Sequence, residues 1–196
     1  LSIPALTVLD ERGALVEADQ RRLVRFLIQD GYGADILFAG GTTGEWDRIE
    51  PALHRRVIEV CADEVQRYNT KIGIPDASLR ETPGAQTSAR GVEFWAGITA
   101  HTKRDTLENL AGAIRAGADA AVLAPLSIRD VDDPVQFLAR DVADFLDASP
   151  RRIPVFLYDN ASIAADPNVP HIRTRQVKAM ARLDFVRGVK VSAGKK

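Results

Sequence analysis

The sequence predicts an α/β fold, a (β/α)8 TIM barrel of which about six β/α units are present. Short apolar, β-branched runs alternate with amphipathic stretches along the chain, and this pattern indicates a parallel sheet covered by helices. A doubly wound open sheet is the competing architecture, but its Gly-x-Gly-x-x-Gly loop does not follow the first predicted strand. A complete barrel takes about 250 residues, and this chain has 196. We therefore expect a barrel without its last two β/α units.

The predicted strands are short runs of apolar and β-branched residues. A continuous apolar run is typical of a strand that is covered on both faces of the sheet. The predicted strands are Ile3–Leu9, Asp35–Gly40, Val92–Ile98, Asp119–Ala124, Ile153–Tyr158 and Phe185–Val191.

The predicted helices lie between these strands, where apolar residues recur at helical spacing. Thr102 is followed three residues later by Asp105, the pattern of a helix N-cap, and Gly117 is a natural stop for the same helix. The predicted helices are Glu17–Gln29, Ile49–Val65, Thr102–Ala116, Pro134–Leu146 and Thr174–Arg182.

A single barrel domain, residues 1–196, accounts for this alternation. Residues 69–91 are rich in Pro, Gly, Ser and Thr and are longer than an ordinary connection. They join a helix to the next strand, which in a barrel places them on the face opposite the catalytic loops. We therefore expect residues 69–91 to form a polar surface excursion.

Charge and composition exclude several classes of protein. The chain carries 26 Lys and Arg against 27 Asp and Glu, a net charge of −1, which argues against a dedicated nucleic-acid partner. No apolar run is long enough to cross a membrane, and no signal peptide is visible at the N-terminus. The single cysteine, Cys61, cannot form an internal disulfide and fits a reducing compartment. We expect a cytoplasmic protein.

Barrel enzymes carry their reactive groups at the C-terminal ends of strands, and a Gly-rich turn follows the second predicted strand here. This turn, Gly40–Glu45, combines glycines, which expose backbone N–H groups, with the hydroxyls of Thr42 and Thr43. Such a turn is typical of an anion nest, and a carboxylate would suit it. It is not a Walker loop, because no Gly-Lys-Ser/Thr follows. The structural alternative is a tight turn that caps the next helix.

Two further strand ends carry reactive side chains. Tyr158 ends the fifth predicted strand, where it is either a core residue with a satisfied hydroxyl or a proton relay. Lys190 lies inside the apolar sixth strand and shares a face with Gly188 and Ser192. Burial would disfavour its ammonium form and supply the neutral amine that a Schiff-base nucleophile needs. The alternative is an edge-strand lysine whose stem extends to water.

Together these motifs give a resemblance to a known family. Gly41–Glu45, the pair Leu157-Tyr158 and the segment 188–194 are similar, in this order, to motifs of the dihydrodipicolinate synthase/N-acetylneuraminate lyase family. Residues 2–6 and 111–126 also resemble stretches of that family of class I, pyruvate-dependent aldolases. The resemblance covers the whole chain and implies a homo-oligomer, a tetramer or dimer.

The resemblance implies a role for each motif residue. Lys190 would form an imine with the oxo carbon of pyruvate or a related acid, and Tyr158 would shuttle the proton. Thr42 would hydrogen-bond Tyr158 and orient it. Thr43, with backbone help from Gly41 and Gly44, would hold the substrate carboxylate. The iminium would act as the electron sink, so no metal or organic cofactor is expected.

Two departures from the family pattern narrow the expected activity. The family often has Pro-Pro-Tyr-Tyr after its fourth strand, whereas residues 124–127 here are Ala-Pro-Leu-Ser, without the relay tyrosine. The arginine that follows the tyrosine in lysine-biosynthetic synthases is also absent from residues 159–165. A lyase or aldolase for another 2-oxo acid is therefore favoured over dihydrodipicolinate synthesis. A dehydratase acting through the same imine and a non-catalytic oxo-acid-binding homologue stay open as alternatives.

The remaining polar and aromatic candidates give weaker signals. The three histidines show no metal-ligand spacing, so no metal site is predicted. His101 could touch substrate, Asp159 could be a polar partner of Tyr158, and Glu45 could support the Gly-rich turn. Packing roles are predicted for Cys61, Trp46 and Trp95.

Overall fold

The computed structural model describes residues 1–73 and 91–192, and in these residues the strands form one parallel sheet. Strands that are adjacent in sequence are also adjacent in the sheet, in the order β1-β2-β3-β4-β5-β6. A doubly wound sheet would reverse its order partway, so this singly wound order confirms the predicted partial barrel. The strands are β1 (Ser2–Pro4), β2 (Ile36–Ala39), β3 (Glu93–Gly97), β4 (Ala120–Leu123), β5 (Val155–Asn160) and β6 (Val186–Ser192).

Five helical regions connect the described strands, as the sequence predicts. Thr102 caps the third helix, because its hydroxyl oxygen accepts a hydrogen bond from the backbone N–H of Asp105 over 3.1 Å. No helix among the described residues is both long enough and apolar enough to cross a membrane. The helices are α1 (Glu17–Ile28), α2 (Pro51–Lys71), α3 (Lys103–Arg115), α4 (Pro134–Phe137, continued by a π turn, Leu138–Val142, and by Ala143–Ala148) and α5 (Thr174–Met180).

The sheet has two faces with different surroundings. Alternate strand residues, such as Leu37 on β2, Leu123 on β4 and Leu157 on β5, are buried in a large core between the sheet and the helices. The residues between them lie on the opposite face, which corresponds to the interior of a barrel. This inner face carries a smaller aromatic and aliphatic cluster that includes Phe38 and Tyr158. The candidate reactive groups belong to this inner face.

Some predicted element boundaries are wrong. The first strand was predicted over Ile3–Leu9, but β1 ends at Pro4. The later part of the predicted strand does not pair with β2, since Leu9 forms an antiparallel bridge with Leu15 instead. The last two strands continue beyond their predicted ends, since the pairing of β5 with β6 extends to Asn160 and Ser192.

The predicted surface excursion over residues 69–91 lies largely outside the described residues. Its first part is not an excursion, since α2 continues to Lys71. Asn69 in the last turn of α2 forms two hydrogen bonds of 2.9 Å with the backbone of Val92, which immediately precedes β3. This buried amide ties the end of the helix to the start of the strand.

Candidate active site

Three strand ends bring Thr42, Tyr158 and Lys190 together on the inner face of the sheet. Tyr158 on β5 is the register partner of Lys190 on β6. The ammonium nitrogen of Lys190 lies 4.0 Å from the centroid of the Tyr158 ring and 5.4 Å from that of the Phe38 ring. These distances are typical of cation–π contacts. They show that Lys190 points to the predicted face.

Within the described residues the side chain of Lys190 is exposed, contrary to the predicted burial. Among the described residues β6 pairs only with β5, so one side of the Lys190 side chain faces open space. The space beside Gly188, two residues before Lys190 on the same face, is filled by an aromatic ring. A Cβ atom at Gly188 would lie 3.0 Å from the ring of Phe156, which stacks on Trp95 at a centroid distance of 4.1 Å.

The Gly-rich turn follows β2 and forms a single 3₁₀ turn at Thr42–Gly44. The N–H of Gly44 donates to the carbonyl of Gly41 over 3.0 Å, and the hydroxyl of Thr7 donates to the carbonyl of Gly44 over 2.7 Å. The first N–H groups of such a turn have no acceptor within it. Thr43 lies at this exposed end.

Close packing explains why glycine stands in and beside this turn. A Cβ at Gly41 would lie 2.5 Å from the Phe38 ring. A Cβ at Gly97, the last residue of β3, would lie 2.2 Å from the carbonyl oxygen of Gly40. Gly40 itself has a φ of +72°, which favours glycine.

A buried histidine supports the turn from behind. His54 on α2 is fully enclosed, and its Nε2 lies 3.0 Å from the carbonyl oxygen of Gly40. The amide nitrogen of Asn109 on α3 lies 3.0 Å from Nδ1 of the same ring. A neutral imidazole that donates through Nε2 and accepts through Nδ1 satisfies both contacts. Burial accordingly lowers the pKa of His54.

The hydroxyl of Tyr158 has two direct hydrogen-bond partners. The Asn160 amide nitrogen donates to it over 2.9 Å, and the hydroxyl oxygen of Ser192 lies 3.0 Å away. The buried Thr42 hydroxyl makes no direct hydrogen bond of ordinary geometry with a described residue, so the predicted orientation of Tyr158 by Thr42 stays a prediction. The Thr42 hydroxyl nevertheless lies near enough to contribute to the electrostatics of the phenol.

The surroundings of Tyr158 favour its ionised form. Burial alone would raise the pKa of Tyr158. The polar contacts of Ser192 and Thr42, the positive charge of Lys190 and the hydrogen bond of Asn160 outweigh burial, and the pKa is lowered. The same alternation that placed Lys190 beside Tyr158 could have revealed Ser192 and Asn160, because each lies two residues further along its strand.

The other predicted candidates lie apart from this group. Asp159 does not contact the Tyr158 hydroxyl, because it points to the other face of β5 and pairs with His171 over 3.1 Å. His101 packs its ring against Trp46. Glu45 forms an exposed ion pair with Arg48.

The packing predictions are confirmed for the buried sulfur and for both tryptophans. Cys61 is completely buried, and Trp95 stacks on Phe156. In the described parts of the chain no three His, Cys, Asp or Glu side chains are grouped so as to hold a metal ion.

The sequence is similar to one family and to its curated members. The dihydrodipicolinate synthetase family model matches residues 1–74. A 4-hydroxy-tetrahydrodipicolinate synthase from Erythrobacter litoralis is 48% identical over 63 residues, which cover 32% of this chain and 21% of that protein.

The fold is also found in solved structures. A prophage protein of the dihydrodipicolinic acid synthase family from E. coli K12, solved in complex with pyruvate, has a TM-score of 0.74 and 21% identity. The sialic acid aldolase of Ruminococcus gnavus has a TM-score of 0.71 and 15% identity, and it was also solved as a catalytic lysine mutant. Both matches cover 99% of this chain but only 54% of the other, so this chain spans about half their length.

Proposed function

We infer that this chain, which belongs to the dihydrodipicolinate synthase/N-acetylneuraminate lyase family, acts as a class I lyase or aldolase. It would cleave or form the bond between a 2-oxo acid such as pyruvate and an aldehyde, through an imine on Lys190. The observation that carries this proposal is the position of the Lys190 amine, 4.0 Å from the Tyr158 ring at the C-terminal ends of β5 and β6. A nucleophile and a proton-transfer group are thus adjacent where barrel enzymes carry their chemistry.

The first step of the proposed reaction is imine formation. The neutral amine of Lys190 attacks the oxo carbon, and a proton then passes from the nitrogen to the former carbonyl oxygen, which becomes the hydroxyl of a neutral carbinolamine. A proton from Tyr158 then allows that hydroxyl to leave as water. When the carbon–carbon bond breaks, its electron pair passes to the iminium and gives an enamine, while the hydroxyl-bearing carbon becomes the aldehyde and its hydroxyl proton is released to water. Because the iminium is the electron sink, the proposal includes no metal or organic cofactor.

The Gly-rich turn is the proposed carboxylate site. The N–H groups at the start of the Thr42–Gly44 turn have no acceptor within the turn, and the exposed Thr43 adds a hydroxyl beside Thr42, which lies near Tyr158. Donors of this kind favour an anion. Gly41 and Gly44 let the turn pack against Phe38 and Thr7 without a side chain in the way.

Thr42 is proposed to orient Tyr158 once substrate is bound. Its hydroxyl is buried without a direct partner among the described residues, and such a group is costly unless something hydrogen-bonds it. The reacting oxygen of the substrate, or a water that it displaces, would satisfy Thr42. The proposal thereby accounts for a polar atom that the fold alone leaves unsatisfied.

The proposed substrate class depends on two observations: the names of the matched proteins, and the residues after β4 that differ from the family pattern. The matched proteins are synthases and sialic acid aldolases by name, and one of them was solved with pyruvate. Residues 126 and 127 here are Leu and Ser, and the latter is buried. With no tyrosine there, we propose a lyase for a longer hydroxy-oxo acid over dihydrodipicolinate synthesis. We also propose a homo-oligomer, as the family resemblance implies.

Borohydride trapping tests the imine directly. The protein is incubated with pyruvate, reduced and digested, and the adduct is located by peptide mass mapping. We expect one reduced adduct, on Lys190, and none in Lys190→Ala. Lys178→Ala is the matched control, because Lys178 is an exposed lysine on α5, and this variant should trap as much adduct as the unaltered protein.

The outcomes separate this proposal from its alternatives. Saturable pyruvate binding without any adduct in folded protein would contradict the lyase and favour a non-catalytic oxo-acid-binding protein. An adduct on a lysine other than Lys190 would contradict the assigned nucleophile. If Lys190 is trapped, product analysis with a panel of longer 2-oxo acids distinguishes an aldolase from a dehydratase.

A further inference from the structure

The hydrogen bonds of Tyr158 define a group of side chains at the adjoining ends of β5 and β6. The register pairs Tyr158 with Lys190 and Asn160 with Ser192, so all four residues project from the same face of two neighbouring strands. The phenol oxygen lies 2.9 Å from the Asn160 amide nitrogen and 3.0 Å from the Ser192 hydroxyl. Neither contact belongs to the roles already proposed for Lys190 and Tyr158.

The orientation of the Asn160 amide is fixed by Ser162. The backbone N–H and the hydroxyl of Ser162 both donate to Oδ1 of Asn160, over 3.0 Å and 2.9 Å. The amide nitrogen therefore faces Tyr158, and an amide nitrogen can only donate a hydrogen bond. The phenol directs its own proton elsewhere, and the hydroxyl oxygen of Ser192, 3.0 Å away, can accept it.

We propose that Asn160 and Ser192 are positioning residues for the proton transfer of Tyr158: Asn160 holds the phenol oxygen in place, and Ser192 exchanges the phenol proton with solvent. This inference rests on the proposed function, in which Tyr158 donates its proton to the leaving hydroxyl. The phenolate then accepts a proton from the hydroxyl of Ser192. Ser192 regains a proton from a water molecule, which leaves as hydroxide, and the phenol is restored.

The position of Ser192 suits this exchange. Ser192, the last described residue, is half-buried, whereas the Tyr158 ring beside it is buried, so in the proposal Ser192 is the group through which the phenol exchanges its proton with water.

The charges around the phenol agree with this arrangement. The positive charge of Lys190, 4.0 Å from the Tyr158 ring, favours the phenolate. The polar contacts of Ser192, Thr42 and Asn160 act in the same direction. Side chains of both β5 and β6 therefore lower the pKa of Tyr158, which makes its proton easier to donate.

Titration of Tyr158 by ultraviolet absorbance of its phenolate tests the inference without any enzyme assay. The chain has three tyrosines, so the background is Tyr32→Phe with Tyr68→Phe, which leaves Tyr158 as the sole signal. We expect Ser192→Ala and Asn160→Ala each to raise the pKa of Tyr158, and Ser192→Thr, which keeps the hydroxyl, to restore it. Ser149→Ala and Asn168→Ala are matched controls that remove the same groups elsewhere and should leave the pKa unchanged.

Imine formation gives the second measurement. General acid–base catalysis contributes roughly 10²- to 10⁴-fold to a rate, so we expect Ser192→Ala to slow borohydride trapping of pyruvate about tenfold or more. The half-saturating pyruvate concentration should stay the same, and the pH–rate profile should shift upward together with the phenol titration. Ser192→Thr should recover most of the rate.

Different outcomes would overturn this inference and the proposed function. An unchanged phenol titration in both Ser192→Ala and Asn160→Ala, with far-ultraviolet circular dichroism showing folded protein, would overturn this inference whatever the activity. If the unaltered protein traps no adduct at all, the proposed function is overturned, and the titration still decides whether Asn160 and Ser192 control the phenol.

Discussion

The Nε2 atom of His54 lies 3.0 Å from the carbonyl oxygen of Gly40, so a buried side chain of α2 holds the turn that carries Thr42 and Thr43. Gly40 is in the left-handed region, with a φ of +72°. The carbonyl of such a turn needs a donor once it is removed from water, and His54 supplies it. The stability of the fold and the shape of the candidate carboxylate site therefore depend on one imidazole.

This contact predicts that acid destabilises the protein through His54. Burial lowers the pKa of His54 below its usual value of about 6.5, so the unfolded chain binds this proton more readily than the folded one. Stability is complete above about pH 6.5 and falls as the pH decreases, by about 1.4 kcal/mol per pH unit until the folded-state pKa is reached.

Urea unfolding between pH 5 and pH 8 measures this dependence. We expect the fall in unfolding free energy below about pH 6.5 to be weaker in His54→Gln than in the unaltered protein. His101→Gln removes a histidine from the loop after β3 and should keep the full dependence. The interpretation of His54 as a buried neutral imidazole is wrong if the two variants behave alike.

The close approach of β3 to the Gly-rich turn gives a second prediction. A Cβ at Gly97 would lie 2.2 Å from a backbone oxygen of Gly40, and backbone cannot move aside without distorting the site. We expect Gly97→Ala to lower the free energy of unfolding by about 2 kcal/mol or more, in the range of overpacked sites.

Gly112 provides the matched control for Gly97. It lies within α3, where a new Cβ would meet its nearest neighbour, the Arg55 side chain, at 3.7 Å, an ordinary contact distance. Gly112→Ala should raise stability by about 1 kcal/mol, the difference in helix propensity. Chemical denaturation of both variants checks the pair, and equal effects would contradict the packing argument.

The sequence predicted the strand order and the face of Lys190 because both depend on local patterns. Apolar runs marked each strand, and alternation by two placed Lys190, Gly188 and Ser192 on one face. The exposure of Lys190 could not be predicted in this way. It depends on whether a further strand covers β6, and periodicity within one strand carries no information about its neighbours.

The hydrogen bonds of Tyr158 show a similar limit. Thr42 was expected to orient the phenol, but Asn160 and Ser192 make the direct contacts. Which of several nearby hydroxyls forms the bond depends on small differences in the relative positions of three strand ends. A family motif specifies the residue types at those ends, and the register between β5 and β6 decides which atoms meet.

Asn69 gives a third prediction, on the stability of the connection between α2 and β3. Its side chain satisfies both the N–H and the carbonyl of Val92, each over 2.9 Å and in buried surroundings. Asn69→Ala leaves both groups without a partner, and an unsatisfied buried group costs about 1 to 3 kcal/mol. We expect the free energy of unfolding to fall by about 2 to 4 kcal/mol in denaturant titrations. Asn168→Ala removes an exposed asparagine and should change it by less than about 0.5 kcal/mol.

The reactivity of Cys61 gives the last prediction. Its thiol is completely buried, and burial raises its pKa to about 12, although a contact of 3.4 Å from the Gln20 amide opposes this effect. The reactive thiolate is therefore scarce near pH 8, and a reagent has no access to it. We expect a thiol-specific reagent such as Ellman's to leave the native protein unmodified and to react with one thiol per chain in denaturant. Because Cys61 is the single cysteine of the chain, its labelling rate also reports opening of the core around α2, and it should increase in Asn69→Ala but not in Asn168→Ala. Rapid labelling of the native protein would contradict the burial of Cys61 between the helices and the sheet.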